Sequence, residues 1–420
     1  MKLLINFCAH DGIISHYAGV GTIVRRYIKT LKYVLDYQKI DFDLNLFAPY
    51  IENDSLGYSE KVYEENKNQS VKNIYFVDNG TNGKMAYGNI KNWKQLCNIT
   101  STIINSINIS DYDIVINIAN DTPFAGLAEK LKENNKSKFI WIPHSTVKIH
   151  EVDSSIESYE EMYNERLEWE KACISKINIT KNYFVGSTGK YIENHLINEY
   201  NLLENKSLYI PNGETLFVKN QYNYDEKTFN LFKDFNSQEP IILSFARAEE
   251  YKNLDGTILL GRNIGIKSIV IVQEYFEGQE LTNKLRNIAK DNNSELIVNP
   301  PFSLPQYIVE NYSGNIVMLI PSKKEIVGLV INEMRRFNKD NVLIVANDIG
   351  GMSEQITTGY DGVLVDMNDL AKSTETINKY FHEEKMKELN LNAQKTLKEK
   401  YDFEITIKKV LKKLIGGYYE

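Results

Sequence analysis

Four charged side chains follow two apolar runs of the chain, and their types suit a ligand that combines hydroxyl groups with phosphate. Arg247 and Lys252 follow one run, while Glu325 and Glu333, eight positions apart, follow another. Carboxylates accept hydrogen bonds from hydroxyls, and Arg and Lys bring positive charge to phosphate oxygens. We expect Glu325 at the carboxyl edge of a strand and Glu333 on the helix after it, about two turns apart and facing one crevice. The alternative is that all four are unrelated surface charges.

A glycine-containing loop near the N-terminus is a second candidate for chemistry. Gly19 and Gly21 lie between an apolar run and an amphipathic segment, Thr22 to Leu35. Glycines at such a junction let backbone N–H groups approach an anion at the start of a helix, but two glycines are equally typical of a tight turn. No third glycine completes the GxGxxG spacing, which argues against an NAD-dependent oxidoreductase.

Short apolar runs alternate with longer amphipathic segments along the chain, which is typical of parallel strands joined by helices. The strands predicted for the first half are Lys2 to Phe7, Leu44 to Ala48, Asn73 to Phe76, Asp113 to Ile118, Lys138 to Ile142, Tyr183 to Val185 and Ser207 to Ile210. Those predicted for the second half are Ile241 to Phe245, Ser268 to Val272, Glu295 to Val298, Ile316 to Ile320, Val342 to Val345 and Val363 to Val365. The pattern therefore predicts two α/β units, each with a doubly wound sheet.

The joint between these units is expected at residues 211–240, where Pro211 and Gly213 punctuate the chain and a polar stretch without a strand pattern follows. We predict a first domain over residues 1–215 and a second over residues 216–403. The basic amphipathic segment 404–420 is expected to be a helix that need not belong to the second domain and could pack back on the first.

The composition disfavours several classes of protein. The 420 residues include 49 Lys and Arg against 56 Asp and Glu, and this net charge of −7 argues against a sequence-independent nucleic-acid binder. Cys8, Cys97 and Cys173 lack disulfide or metal-ligand spacing, which favours a reducing, cytoplasmic location. No apolar run approaches the ~18 residues of a membrane span, and no cluster of His, Cys and carboxylates has the spacing of metal ligands.

The order of the motifs resembles that of the retaining nucleotide-sugar glycosyltransferases of the large family-4 group, glycosyl transferases group 1. The matching segments are Arg247 with Lys252, Pro321-Ser322, Glu325-x7-Glu333, Asn347 to Glu354 and Gly359 to Val365, with Pro211-Asn212-Gly213 at the hand-over between domains. The resemblance covers nearly the whole chain and is strongest from Pro240 to Asp366. It implies the B-type (GT-B) fold, in which two Rossmann-like doubly wound domains face each other across an inter-domain cleft.

The resemblance also implies roles for the matching residues of the second domain. Glu333 would accept hydrogen bonds from the ribose of the nucleotide, and Glu325 would contact hydroxyls of the donor sugar. The backbone of Val327-Gly328-Leu329 would approach the sugar and the diphosphate. Arg247 and Lys252 would stabilise the charge that grows on the leaving diphosphate, so neither a metal ion nor another cofactor is expected.

In the first domain, the resemblance assigns Gly19 and Gly21 to a loop that meets the donor, and His144 to the sugar-transfer site. The donor would be a UDP- or GDP-linked sugar, and the acceptor a hydroxyl of a small molecule, a glycan or a lipid-linked compound. Retention could proceed by double displacement or by attack on the face that the diphosphate leaves. Since no carboxylate nucleophile is evident, we favour front-face attack, with His144 positioning the sugar or the acceptor.

Two departures from the family pattern keep other functions open. Ile326 stands where the family commonly has glycine, and Met334-Arg335-Arg336-Phe337-Asn338 replaces an alanine-rich stretch. A non-catalytic accessory subunit that recruits an acceptor for a partner transferase is therefore an alternative, although the charged residues favour an enzyme. A sugar-nucleotide epimerase is disfavoured by the spacing of the glutamates.

Two charged stretches of the first domain have two interpretations each. The acidic stretch Glu151 to Glu170 is either a rim for a cationic acceptor or the solvated face of a helix. The basic side of the segment Thr22 to Leu35 either docks on anionic lipid or is a solvated face. We favour the solvated face in both cases, so peripheral membrane contact is the weaker expectation. The basic residues in question are Arg25, Arg26, Lys29 and Lys32.

Overall fold

The computed structural model describes residues 1–16, 18–55, 57–69, 71–84, 87, 89–149, 159–218, 228, 230, 238–274 and 277–416. The chain divides into two compact units. The first unit is Met1–Thr215 together with the C-terminal segment that begins at Phe403, and the second is Leu216–Asp402.

The first unit contains a parallel sheet of seven strands in the order β3-β2-β1-β4-β5-β6-β7. The strands are β1 (Lys2–Ala9), β2 (Asp41–Pro49), β3 (Asn73–Val77), β4 (Ile114–Asn120), β5 (Ser137–Ile142), β6 (Tyr183–Ser187) and β7 (Ser207–Tyr209). The helices between them are α1 (Gly19–Tyr37), α2 (Glu60–Lys67), α3 (Ile90–Ser106), α4 (Leu127–Lys130), α5 (Tyr159–Ile179) and α6 (Lys190–Tyr200). Strand β1 is buried along nearly its whole length, as expected of a central parallel strand with helices on both faces.

Side-chain amides join four strands of this sheet through its interior. Asn73 donates to Asn45 at 3.0 Å, Asn45 to Asn6 at 3.0 Å, and Asn6 to Asn117 at 2.9 Å. The ladder crosses β3, β2, β1 and β4 at one level, which satisfies polar groups that would otherwise be costly to bury. It therefore supports one register between strands whose apolar residues alone specify only which face is buried.

The second unit contains a parallel sheet of six strands in the order β10-β9-β8-β11-β12-β13. The strands are β8 (Ile241–Arg247), β9 (Lys267–Gln273), β10 (Glu295–Val298), β11 (Ile316–Ile320), β12 (Val342–Asn347) and β13 (Val363–Val365). Its helices are α7 (Leu254–Ile264), α8 (Glu280–Asp291), α9 (Leu304–Asn311), α10 (Leu329–Phe337), α11 (Gly350–Gln355), α12 (Leu370–Tyr380) and α13 (Glu383–Lys400). Every predicted strand is confirmed, and the prediction of two doubly wound α/β units is confirmed with them.

The last helix, α14 (Phe403–Ile415), lies in the first unit, where it packs on α1. The rings of Phe403 and Tyr27 are 4.6 Å apart, and the Phe403 amide donates to the carbonyl of Glu214 at 3.0 Å. The Glu214 carboxylate in turn forms an ion pair with Arg26, with 2.6 Å between the charged atoms. The final residues of the predicted helix, from position 417 onward, lie outside the described residues.

The basic side of α1 is largely paired inside the first unit. Besides Arg26, Arg25 lies 3.8 Å from Glu65, and Lys32 pairs with Asp36 one turn away. Cations that already have acidic partners gain less from an anionic surface, because each new contact replaces an existing one. Among the residues that the structure describes, none of the helices combines the length and the apolar character needed to cross a bilayer.

Candidate functional site

Each sheet has a point where the order of its strands reverses, and the candidate residues follow the strands at these points. The reversal lies between β1 and β4 in the first unit and between β8 and β11 in the second. In open α/β sheets, ligands bind outside the carboxyl ends of the strands at such a point, because the connections diverge there and leave a crevice. Arg247 ends β8, and Glu325 follows β11.

Lys252 and Glu325 form an ion pair at the reversal point of the second unit. The Lys252 Nζ lies 2.5 Å from the Glu325 Oε1, and the Ser322 hydroxyl donates to the same oxygen at 3.2 Å. The two charged side chains are 15 % and 18 % exposed, so a ligand can reach them. Within the described part of the chain, these contacts of the carboxylate end on Oε1, which leaves Oε2 to accept from a ligand.

Two hydrogen bonds join the loop after β8 to the loop after β11 and so bring this pair together. Asn253 donates its side-chain amide to the carbonyl of Pro321 at 3.1 Å, and the amide of Lys323 donates to the carbonyl of Tyr251 at 2.7 Å. Asn253 adopts the left-handed conformation with φ 53°, which asparagine tolerates better than most residues. Sequence reasoning missed Asn253, and its only local signal is an asparagine just before a helix.

The two glutamates lie on successive elements of the second unit. Glu325 lies in the loop between β11 and α10, since the helix begins only at Leu329, and Glu333 lies half-buried in the second turn of that helix. These are the elements on which the two residues were expected, but the interval of about two helical turns does not apply, because residues 326–328 lie in the loop. Gly328 ends the loop, and a Cβ there would lie 3.0 Å from carbons of both Ile331 and Met352. This crowding and a hydrogen bond from the Leu329 amide to the Val327 carbonyl at 3.0 Å fix the backbone that was predicted to approach the donor.

Gly351, at the start of α11, supports the loop that carries Glu325. Its amide donates to the carbonyl of Glu325 at 3.0 Å. A Cβ on Gly351 would lie only 1.8 Å from the carbonyl oxygen of Ile326, so no other residue fits without moving the backbone. Ile326, the departure from the family pattern, is half-buried here.

Arg247 is 35 % exposed and lies beside Glu249, with 3.3 Å between their charged atoms. Tyr251 follows in the same loop, and its ring lies 4.9 Å from the Lys252 ammonium. Burial, with a hydrogen bond to Glu249, raises the pKa of the Tyr251 hydroxyl well above its usual range. The ring therefore stays neutral beside Lys252, and the loop presents cations without a competing phenolate.

The glycine loop of the first unit is organised by Asp11, which sequence reasoning did not single out. The Asp11 carboxylate accepts from the amides of Gly12 and Ala18, each at 2.8 Å, and from the Ser15 hydroxyl at 2.7 Å. A Cβ on Gly21 would lie 2.5 Å from the same carboxylate. Both glycines lie in the first turn of α1, which begins at Gly19, and not in the loop before the helix as predicted. Gly21 is required there by its contact with Asp11, whereas Gly19 is exposed.

His144 follows β5 and is held by the end of β4. Its Nε2 lies 3.1 Å from the Oδ1 of Asn120, a fully buried residue. Burial lowers the pKa of His144, and the charge of Asp121 only partly opposes this. A neutral ring that donates from Nε2 to the asparagine oxygen keeps Nδ1 as a hydrogen-bond acceptor.

A buried ion pair on α5 fixes the loop that carries His144. The Glu170 carboxylate, with no exposed surface, accepts from Arg166 at 2.8 Å, from the Tyr200 hydroxyl at 2.6 Å and from the Val147 amide at 3.1 Å. Arg166 also donates to the Ser145 hydroxyl at 3.1 Å.

Glu170 is therefore neither part of an acidic rim nor on a solvated face, and both interpretations are wrong for this residue. The solvated face does describe other glutamates of α5, which are exposed; they are Glu160, Glu161, Glu165 and Glu168. Residues 151–158 of the acidic stretch lie outside the described residues.

A family model and solved structures match the chain. The sequence model of the family described as glycosyl transferases group 1 matches residues 226–396. No curated protein sequence matches the chain significantly.

Among solved structures, the sucrose-phosphate synthase from Thermosynechococcus elongatus is similar with a TM-score of 0.71 at 14% identity, over 98% of this chain and 99% of that one. A glycosyltransferase from Rickettsia africae aligns with a TM-score of 0.67 at 17% identity, over 99% of both chains. Anabaena HepE, solved in complex with UDP-glucose, aligns with a TM-score of 0.64 at 14% identity, also over 99% of both chains. At such identities the likeness concerns the fold, and it extends over nearly the whole length of each chain.

Proposed function

Because residues 226–396 belong to the glycosyl transferases group 1 family and the chain has the two-domain GT-B fold, we propose that this glycosyltransferase moves a sugar from UDP to a hydroxyl of its acceptor. Similar structures favour UDP over GDP, since Anabaena HepE was solved with UDP-glucose and an Escherichia coli protein of the same fold with UDP-2-fluoro glucose. We further propose that the sugar keeps its anomeric configuration. The acceptor is a small molecule, a glycan or a lipid-linked compound.

The ion pair between Lys252 and Glu325 is the observation that carries this proposal. It lies where the strand order reverses, and its two members suit the two parts of a nucleotide sugar. A diphosphate gives the Lys252 ammonium a second anionic partner. The Glu325 carboxylate then accepts from sugar hydroxyls, first through Oε2. Glu333, on the helix that follows, accepts from the ribose.

The transfer step breaks the bond between the anomeric carbon and the diphosphate oxygen, and its electron pair leaves with UDP. The acceptor oxygen bonds to the same face of that carbon, and its proton passes to the departing phosphate oxygen. Lys252 and Arg247 stabilise the growing negative charge, which preorganised cations do effectively because they need no reorganisation during the reaction. His144, with its Nε2–H directed at Asn120, orients a hydroxyl through Nδ1.

We propose that the reaction needs no metal ion. Among the described residues, no group of three or more His, Cys, Asp and Glu side chains is arranged to hold one. The positive charge that a metal would bring to the diphosphate is available from Arg247 and Lys252. Turnover that is unchanged by a chelator is the expected result, and turnover that requires added divalent cation contradicts this part of the proposal.

A thermal-shift panel of nucleoside diphosphates and their sugars tests the donor. UDP and one UDP-sugar should raise the melting temperature, because they bind only the native state, while GDP and ADP should not. Glu333→Ala should remove the shift, and Glu375→Ala, an exposed glutamate on α12, should retain it. Stabilisation by GDP alone, or a shift that survives Glu333→Ala, contradicts the assignment.

The front-face route has its own test. A donor with fluorine at carbon 2 of the sugar slows transfer and would trap a covalent glycosyl-enzyme if one formed. Mass spectrometry should detect unmodified protein only. A protein adduct with the mass of the sugar would show double displacement instead.

A further inference from the structure

Arg335 is a buried cation in the helix that carries Glu333. It has no exposed surface and lies two residues beyond Glu333 in α10. Successive residues of a helix turn by about 100°, so these two side chains point to nearly opposite sides. Glu333 is therefore directed away from the groups that Arg335 contacts, and any effect of Arg335 on the ligand must pass through other residues.

The guanidinium of Arg335 joins its own helix to the end of α11 and to Asp361. It donates to the Asp361 carboxylate at 2.8 Å, to the backbone carbonyl of Gln355 at 2.5 Å and to the side-chain oxygen of Asn332 at 3.1 Å. Asn332 also donates to the Gln355 side chain at 3.1 Å. The ring of Tyr401 lies 5.6 Å from the guanidinium carbon. Helix α10 and the end of helix α11 are thus joined by direct and mutually supporting bonds.

Helix α11 transmits this attachment to the loop of Glu325. Its last residue, Gln355, is held by Arg335, and its second residue, Gly351, donates to the Glu325 carbonyl and abuts Ile326. The Gln355 side chain also donates back to the Gly351 carbonyl at 3.2 Å. A helix of fewer than two turns moves as one rigid body, so contacts that fix the position of one end also fix the position of the other.

We propose that Arg335 is a positioning residue that sets the Glu325 loop relative to Glu333, and so determines how well the site discriminates a nucleotide sugar from the bare nucleotide. The inference rests on the proposed function. A buried ion pair is weak evidence for stability, because an apolar residue of similar volume would avoid the cost of burying charge. Directional bonds to a carboxylate, a carbonyl and an amide allow one arrangement of α10 and α11, which an apolar contact would not enforce.

The test compares the affinities of UDP and UDP-glucose for the full chain by calorimetry. Arg335→Met should weaken UDP-glucose about tenfold, equivalent to about 1.4 kcal/mol, while the affinity for UDP changes less than about threefold. The reason is that α10 remains packed through Ile331 and Met334, whereas the Glu325 loop loses its support. Arg336→Met is the matched control, since that side chain instead donates to the carbonyl of Val218 at 2.6 Å.

Two further variants separate positioning from stability. Arg335→Met with Asp361→Asn removes the lone buried carboxylate, and this double variant replaces the single one if the latter does not fold. Arg335→Lys keeps a charge for Asp361 but cannot make all three bonds, so it should recover the melting temperature without recovering the preference for UDP-glucose.

The outcomes distinguish the inference from the proposed function. A wild-type chain that binds neither UDP nor UDP-glucose contradicts both. If the wild type binds and the folded variants keep the wild-type ratio of affinities, or lose both affinities equally, only the inference is contradicted. A ratio that falls in Arg335→Met and in Arg335→Lys, but not in Arg336→Met, supports it.

Discussion

Each unit has an ion pair near the carboxyl ends of its strands, and the two pairs differ in burial. In the second unit, Lys252 and Glu325 form an ion pair that is partly open to solvent, and the loops that carry them are held by backbone and side-chain hydrogen bonds. In the first unit, Glu170 and Arg166 are buried, and they act on the neighbouring loop rather than on a ligand. The first arrangement lets a charged ligand exchange partners, while the second holds one loop in one position.

This difference follows from the cost of burying charge. A pair that keeps some contact with water is screened more and contributes less to folding than a fully buried one, so its members can take other partners. A buried pair has lost its hydration, and removing one member leaves an uncompensated charge. The two units should therefore respond oppositely to substitution, one in activity and the other in stability.

The largest expected effect is on the stability of the first unit. Arg166→Met should lower its free energy of unfolding by about 3–5 kcal/mol, since the Glu170 carboxylate is left buried without its cation. Lys171→Met, on the same helix, removes an exposed pair with Glu168 and should cost less than about 1 kcal/mol. Tryptophan fluorescence in urea measures this unit alone, because all three tryptophans lie in it; they are Trp93, Trp141 and Trp169.

Equal destabilisation by the two substitutions would remove the distinction between buried and exposed charge. A loss of donor turnover in folded Arg166→Met without any loss of stability would place this residue with the ligand instead.

The next effect is on activity in the second unit. Lys252→Met should lower kcat by about 10²–10³-fold, comparable with the removal of one preorganised donor at a developing anion. The melting temperature of Lys252→Met should change little, because the pair is partly solvated.

Lys323→Met is the control. That lysine is exposed in the loop after β11, and it contributes its backbone amide rather than its charge. Steady-state kinetics with saturating donor would measure this. A variant that unfolds, or one that keeps its kcat, contradicts the contrast between the units.

The smallest effect concerns pH and the first unit. Burial holds the pKa of His144 below its ordinary value of 6.5, so below pH 6.5 the unfolded chain binds a proton that the folded chain does not. Stability contributed by the neutral ring is complete above pH 6.5 and is lost as the pH falls from there through the lower pKa of the folded state. His144→Gln should reduce this loss of stability, measured by urea titration at about pH 7.5 and about pH 5.5.

His195 also has a lowered pKa, so His195→Gln is the comparison for a histidine without a proposed role. An unchanged loss in His144→Gln would show that His144 is protonated in the folded protein.

The strands were predictable because each is a short apolar run, but the sequence placed several of their ends too early. Strands β4, β8 and β12 each extend two residues beyond the predicted end, through one alanine, and end at the polar residues Asn120, Arg247 and Asn347. Polar residues continue these strands because backbone hydrogen bonding does not depend on side-chain polarity. These strand ends carry the polar groups of the candidate sites, so the hydrophobic pattern is least informative where function is concentrated.

The supporting residues could not be predicted from spacing. Neither Asp11 nor Asn253 stands in a sequence pattern that distinguishes it from other polar loop residues. Arg335 was noticed only as a departure from a family pattern, and its partner Asp361 lies 26 positions away. Each acts through contacts with residues of other elements. The distances between these elements cannot be predicted from the local sequence.

The sequence by itself determined the alternation of strands and helices and the two α/β units, and it supplied the side chains that we propose to bind a nucleotide sugar. Hydrophobic periodicity and residue chemistry are local properties, so they can be read along the chain. The tertiary structure alone decided that Lys252 contacts Glu325 and that Glu170 is buried. Those outcomes depend on strand order and on loop hydrogen bonds between segments distant in sequence, and only the folded chain brings these segments together.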